Sequence, residues 1–297
     1  MYSALITRLR VVGLRRIALG VVLSAFLHAP AVAATAVPAR KDARKEVRND
    51  ARKDARNDGR NDKGPRELAV SGHAKAFYYP PAKGTSKRVL LWLHGRGASV
   101  AEDCAKWAPV ARRYGWLLCP QGDEDRGGGL RGWANNAEQG RDNVDKALAA
   151  LRRKSKNAIE PGRHVLIGFS EGAFVAMQLG VHEAAVWSRW LVLAANDGYW
   201  LGDGVQRLHE QKTAIRRVVL LTGANDEVVQ ETRRSFAILQ REHVSSKLMV
   251  VTDLGHEVPL ERMSALYTYP IRWLLALEND PPPGGTKRTK RAKTAMR

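Results

Sequence analysis

Residues 163–180, Arg163-His164-Val165-Leu166-Ile167-Gly168-Phe169-Ser170-Glu171-Gly172-Ala173-Phe174-Val175-Ala176-Met177-Gln178-Leu179-Gly180, read as an apolar strand, a tight turn and an apolar helix in immediate succession. The turn has the form G-x-S-x-G. Glycines are needed where the backbone doubles back on itself, and the turn lifts the serine hydroxyl above the strand end at a helix N-terminus. A single such pattern is weak evidence, because a chain with 26 Gly meets it by chance with appreciable frequency. Its position between a strand and a helix is what gives it meaning.

Outward from that turn, further continuous apolar runs at 88–93, 116–119, 190–195, 217–221 and 247–252 read as strands buried on both faces. Helical spacing at 100–114 and 139–155 lies between them, the latter with Val144, Leu148 and Leu151 at i, i+4 and i+7. Residues 121–136 are polar and glycine-rich and read as a loop, and Pro270 reads as the first turn of a final helix. Alternating strands and helices predict an α/β fold, a mostly parallel sheet covered by helices on both faces, in a single domain over 67–280.

A serine hydroxyl needs a base to accept its proton, and a histidine serves best when a carboxylate orients it. Two later strand ends supply these groups: 217–221 leads to Asp226, and 247–252 leads to His256. Loops leaving one edge of a parallel sheet converge, so Ser170, Asp226 and His256 are the candidate catalytic residues, with Asp197 as the substitute acid. Asp226 could instead cap the helix that follows it. After the strand 88–93 comes His94-Gly95-Arg96-Gly97. Acyl transfer builds negative charge on a carbonyl oxygen, and two backbone N–H groups stabilise it; Arg96 and Glu171 are the candidate oxyanion donors. His94 is expected to brace that loop, and Trp133 is the candidate substrate-binding residue, with a packed aromatic as the alternative.

At LWLHGRG, WLLCPQG, GFSEGAF, LLTGANDEVV and DLGHEVP, spread over about residues 88–259, the chain resembles the α/β-hydrolase family. The resemblance is to its small carboxylesterase, phospholipase and acyl-protein thioesterase-like branch, and to the dienelactone hydrolases. It implies an α/β-hydrolase fold and hydrolysis of carboxylic esters or thioesters through an acyl-enzyme, with no metal or organic cofactor. The substrate so implied is a small-molecule or lipid-like ester. Glu171 departs from the Gln frequent in that branch, and the glycine-rich loop differs too. Alternatives are a serine peptidase of the same fold and a noncatalytic envelope-binding protein using its basic arms.

Other chemistries are excluded by pattern. No H-E-x-x-H occurs, two cysteines cannot make a structural zinc set, and Gly127-Gly128-Gly129 lacks the lysine and hydroxyl of a phosphate loop. The formal charge of +19 suggests nucleic acid until it is divided by region. Residues 1–33 carry +4, residues 34–66 carry +5 and residues 281–297 carry +6, leaving +4 for 67–280. The excess therefore sits outside the domain, and no specific nucleic-acid partner is expected. Four Arg before an apolar run at 17–27, then Pro30 and Ala31-Val32-Ala33, read as a secretory signal peptide over 1–33. The alternative is an uncleaved membrane anchor. Export to the periplasm or the extracellular space is the expected destination. Residues 34–66 contain six copies of a small-Arg-(Lys/Asn)-(Asp/Glu) unit and read as a charged low-complexity linker, and 281–297 as a disordered basic tail. Both arms suit weak electrostatic contact with an anionic envelope surface. An oxidising compartment permits a disulfide between Cys104, in the first turn of its helix, and Cys119 at the end of the next strand; two buried thiols are the alternative.

Overall fold

The structure is a computed structural model, and it describes residues 64–82, 86–200 and 202–276. The expected signal peptide, most of the linker and the basic tail lie outside the described residues. Among the described residues there are ten strands: β1 (Arg66–Leu68), β2 (Ala76–Tyr79), β3 (Val89–Leu93), β4 (Trp116–Cys119), β5 (Glu124–Asp125), β6 (Arg131–Gly132), β7 (Val165–Phe169), β8 (Arg189–Leu193), β9 (Arg217–Gly223) and β10 (Ser246–Val251). The helices are α1 (Val100–Ala111), α2 (Ala137–Lys154), α3 (Glu171–His182), α4 (Gly204–Gln211), α5 (Val229–Arg241) and α6 (Met263–Leu275).

Eight strands form one sheet in the order β1-β2-β4-β3-β7-β8-β9-β10. From β4 to β10 every pairing is parallel, while β2 runs antiparallel to both β1 and β4. The central strands are apolar throughout because both faces are covered. In β3, Val89, Leu91 and Leu93 face one core, and Leu90 and Trp92 face the other. The first core is closed by α2, α3, α4 and α5, the second by α1 and α6. Helix α3 lies deepest: every residue from Glu171 to Val181 is buried, so its sequence is apolar nearly all round rather than on one stripe. Helix α2 shows the opposite case. Its Asn136 side chain accepts from Gln139 N at 3.0 Å as an N-cap, and Arg152, Arg153 and Lys154 sit in the last turn, where positive charge suits the helix dipole.

Two expectations are corrected. Residues 121–136 are not a plain loop: β5 and β6 pair as a hairpin whose tip is Gly127-Gly128-Gly129, all at positive φ. The strands are two residues each, too short for a period-2 signal, and glycine supplies the left-handed tip. Pro270 lies inside α6, its eighth residue, rather than at its start. Met263, Tyr267, Ile271 and Leu274 are all buried on one stripe, and this packing outweighs the hydrogen bond that Pro270 cannot make.

Cys104 and Cys119 form a disulfide, with Cα atoms 6.0 Å apart, that ties α1 to the end of β4 inside the second core. The bridge closes a loop with a sequence separation of 15. A crosslink of that span restricts the unfolded chain by about 3 kcal/mol. The double variant Cys104→Ala/Cys119→Ala is therefore expected to unfold in urea with stability lower by roughly that amount, about 3 kcal/mol, and wild type in reductant should match it.

Candidate active site

Ser170 occupies the one-residue step between β7 and α3, at φ 53° and ψ −117°. A non-glycine residue there carries strain of about 1–3 kcal/mol, which the surrounding packing must hold. The packing leaves no room for anything but glycine on either side. A Cβ on Gly168 would collide with the Gly172 carbonyl oxygen, and a Cβ on Gly172 with the carbonyl oxygens of Leu93 and His94. The G-x-S-x-G spacing thus follows from the closeness of three backbone segments: the end of β7, the start of α3 and the end of β3.

The three candidate catalytic residues come together. Ser170 Oγ lies 2.9 Å from His256 Nε2, and His256 Nδ1 lies 2.9 Å from Asp226 Oδ1. Asp226 is 3% exposed and also accepts from the Thr222 hydroxyl at 2.8 Å and the Val228 N–H at 3.0 Å. A carboxylate only accepts, so His256 carries its proton on Nδ1 and leaves Nε2 free to accept from Ser170. Through Val228, Asp226 also meets the start of α5, so the orienting and capping positions are the same carboxylate. Asp197 is elsewhere, paired with Arg234 at 2.7 Å. The His256 ring rests against Phe169 with centroids 5.1 Å apart, and its side chain stays 33% exposed, open enough to meet a substrate.

Arg96 lies three residues past β3 in a turn whose next two N–H groups, Gly97 and Ala98, both donate to Arg131 O on β6. Glu171 opens α3, where first-turn N–H groups have no partner within the helix. Glu171 has a second role that the sequence did not disclose. Its carboxylate, 4% exposed, accepts from Trp133 N at 2.9 Å, Asn135 N at 3.2 Å and Arg96 Nη2 at 3.2 Å. It clamps the residues after the hairpin onto the turn after β3. Trp133 is placed in the first core, 3% exposed, with its indole N–H donating to His94 O at 3.0 Å and its ring beside the His94 ring. It lies in the packed position, beneath the turn, rather than on an open pocket wall.

His94 is fully buried. Its Nδ1–H donates to Gly95 O at 2.7 Å, and Nε2 accepts from Gly122 N at 3.0 Å. Burial lowers its pKa from 6.5 to about 4, with Arg131 adding to the fall and the Gly95 and Glu171 contacts opposing it. His94 therefore braces the turn as a neutral ring, as expected from its position. Thr222 and Tyr199 were missed from sequence. Thr222 stands four residues before Asp226 at the end of β9, a spacing that would have signalled it. Tyr199 sits in a short 3-10 turn (Asp197–Trp200), where burial first and then the Glu171 charge raise its pKa.

Among the described residues no cluster of His, Cys, Asp and Glu suits a metal ion. No protein-family model matches the sequence, and no curated protein matches it either. Solved structures do. An uncharacterized protein from Bacillus cereus aligns at TM-score 0.56 and 17% identity over 79% of this chain and 70% of that one. Pyrococcus horikoshii acylaminoacyl peptidase aligns at 0.54 and 11%, over 74% and 43%. A carboxylesterase from Mesorhizobium loti aligns at 0.50 and 14%, over 70% and 99%. With the strand order above, these matches give the chain the α/β-hydrolase fold.

Two outcomes are expected. In a nitrogen-15 NMR titration the His94 ring should stay neutral, protonated on Nδ1, down to about pH 4. The unfolded chain takes that proton near 6.5, so the stability His94 contributes is complete above pH 6.5 and is lost as pH falls toward 4, by roughly 3 kcal/mol. Titration near 6.5 would contradict the buried, donor-and-acceptor geometry. Second, Glu171→Gln should turn an amide N–H₂ toward the N–H of Trp133 or Asn135. Urea unfolding should then show a loss of about 1–3 kcal/mol, the cost of an unsatisfied buried donor.

Proposed function

We propose that the protein is an exported serine hydrolase that cleaves carboxylic esters or thioesters. The observation that carries this reading is the continuous Ser170–His256–Asp226 hydrogen-bond chain at the carboxyl edge of the sheet. His256 Nε2 takes the Ser170 proton as Oγ attacks the acyl carbon. The carbonyl oxygen becomes an oxyanion within reach of the Arg96 and Glu171 backbone N–H groups. Collapse expels the alcohol or thiol, which receives its proton from His256, and leaves the acyl group on Ser170. Water, activated by His256 in the same way, releases the acid and restores Ser170. Asp226 remains ionised and holds the imidazole in its orientation throughout. The residues needed for this are all present, and the sequence calls for no cofactor.

Export is supported by the residue pattern over 1–33 and by the Cys104–Cys119 disulfide, a bond favoured outside reducing compartments. The destination proposed is the periplasm or the extracellular space. Among the described residues no helix is long and apolar enough to cross a membrane. The resemblance to small carboxylesterases favours ester over amide cleavage. A substrate panel of matched esters, thioesters and amides separates the two.

A fluorophosphonate probe reacts with an activated serine, so mass spectrometry of the labelled protein should place the adduct on Ser170. The adduct and ester turnover should both disappear in His256→Ala, while circular dichroism stays native. Folded protein that takes no label would sink the reading.

A further inference from the structure

The parallel part of the sheet, β3, β4 and β7 to β10, has two edges of opposite charge. The connections that leave its strands, at 94–99, 120–136, 170, 194–203, 224–228 and 252–262, hold ten acids and four Lys or Arg. This is the edge that carries Ser170. The connections that enter the strands, each with the strand's first residue, are 80–89, 112–116, 155–165, 183–189, 212–217 and 242–246. Among their described residues are ten Lys or Arg and three acids. The domain's modest net charge conceals this separation.

Strand register sets the basic groups side by side. Arg189 pairs with Arg217 across β8 and β9, and Val165, two residues after Arg163, pairs with Arg189 from the other side. Arg88 immediately precedes β3, and Lys87 and Arg216 are exposed beside these. Burial and then the like charges of Arg88, Arg216, Arg217 and Arg163 hold the Arg189 guanidinium down to about 10. These side chains are anchored largely by carbonyl oxygens. Arg88 Nε donates to Arg163 O at 3.1 Å, Arg189 Nε to Leu274 O at 2.9 Å, and Arg217 Nη1 to Trp273 O. Arg88 also forms a long ion pair with Glu160, at 3.9 Å. A carbonyl fixes a guanidinium without cancelling its charge, and each guanidinium has five donors. Arg189 and Arg217 are therefore both positioned and left positive.

Its neighbours point to the kind of surface it meets. Arg217 and Lys247 lie over the Trp273 ring at 5.0 and 4.9 Å, and Lys247 also donates to the hydroxyl of Tyr269, which is 41% exposed. Aromatic rings flanked by cations suit the headgroup level of a bilayer. The ten bases are spread across five of the six connections, a broad face, rather than along one helix or strand. The sequence continues from this face into residues 277–297, which hold six bases and two acids.

We propose that the basic edge of the sheet is a docking face for an anionic lipid bilayer surface, which leaves the acidic edge bearing Ser170 turned away from the lipid. Binding rests on the folded row of bases, with the terminal segments adding to it, and does not require Ser170 to be a nucleophile.

The test is co-sedimentation of the full chain with vesicles of phosphatidylcholine alone and of phosphatidylcholine mixed with phosphatidylglycerol, at low and high salt. Binding is expected only to the mixed vesicles, and it should weaken steeply with salt. The triple variant Lys87→Gln/Arg163→Gln/Arg216→Gln removes exposed charges distant from Ser170. It should bind roughly a hundredfold more weakly, at about fivefold per charge, with fluorophosphonate labelling unchanged. A second variant with the six bases of 281–297 changed to Gln should retain most of its binding. Equal binding to both vesicles would overturn the proposal, as would loss of binding in the second variant with none in the first. Tighter binding to duplex DNA or RNA than to the mixed vesicles would also overturn it and assign the face to nucleic acid.

Discussion

The close approach of three backbone segments at Gly168, Gly172 and the end of β3 is the constraint on which the rest of the molecule depends. It fixes the angle at which α3 leaves β7 and so sets the most buried helix of the domain against the sheet. It also forces Ser170 into a backbone conformation that side chains rarely adopt. That strain is held in place by the close packing around Gly168 and Gly172 and by the buried length of α3. The same packing brings the turn after β3 beside the first turn of α3, so the two candidate oxyanion donors are consequences of one backbone contact. Position of the serine and position of the donors are not separate achievements of the sequence.

The second layer of support is polar, with His94, Trp133 and the Glu171 carboxylate buried at its centre. His94 joins Gly95 to Gly122, Trp133 reaches back to His94, and Glu171 gathers Arg96, Trp133 and Asn135. Every member finds partners, which is the condition under which a buried polar network stiffens a structure rather than weakening it. A carboxylate suits position 171 because it faces three donors, two of them backbone groups. Glutamine, with donors of its own, fits this arrangement less well.

The strands were legible because burial on both faces writes unbroken apolar runs, as in Val89–Leu93 and Val165–Phe169. Ser170, Asp226 and His256 were legible because parallel strands deliver their carboxyl ends to one edge. The remainder was written in contacts between distant residues. The β5–β6 hairpin is held by its bridge from Arg131 to Ala98 and by Glu171 rather than by its own two-residue strands. Pro270 follows a rule of local geometry that the buried stripe of α6 overrides. The clamp formed by Glu171 could not be read from position 171 alone, since its partners lie 36 to 75 residues away.

The separation of acids and bases between the two edges of the sheet also makes the molecule complementary to itself. The acidic edge of one copy matches the basic edge of another in a head-to-tail contact, which closes no symmetric dimer and can add further copies in line. Such attraction is strongest when counter-ions are scarce and fades as the screening length shortens. In dilute buffer the attraction of these poles works against the repulsion between copies that each carry +19, and added salt screens both.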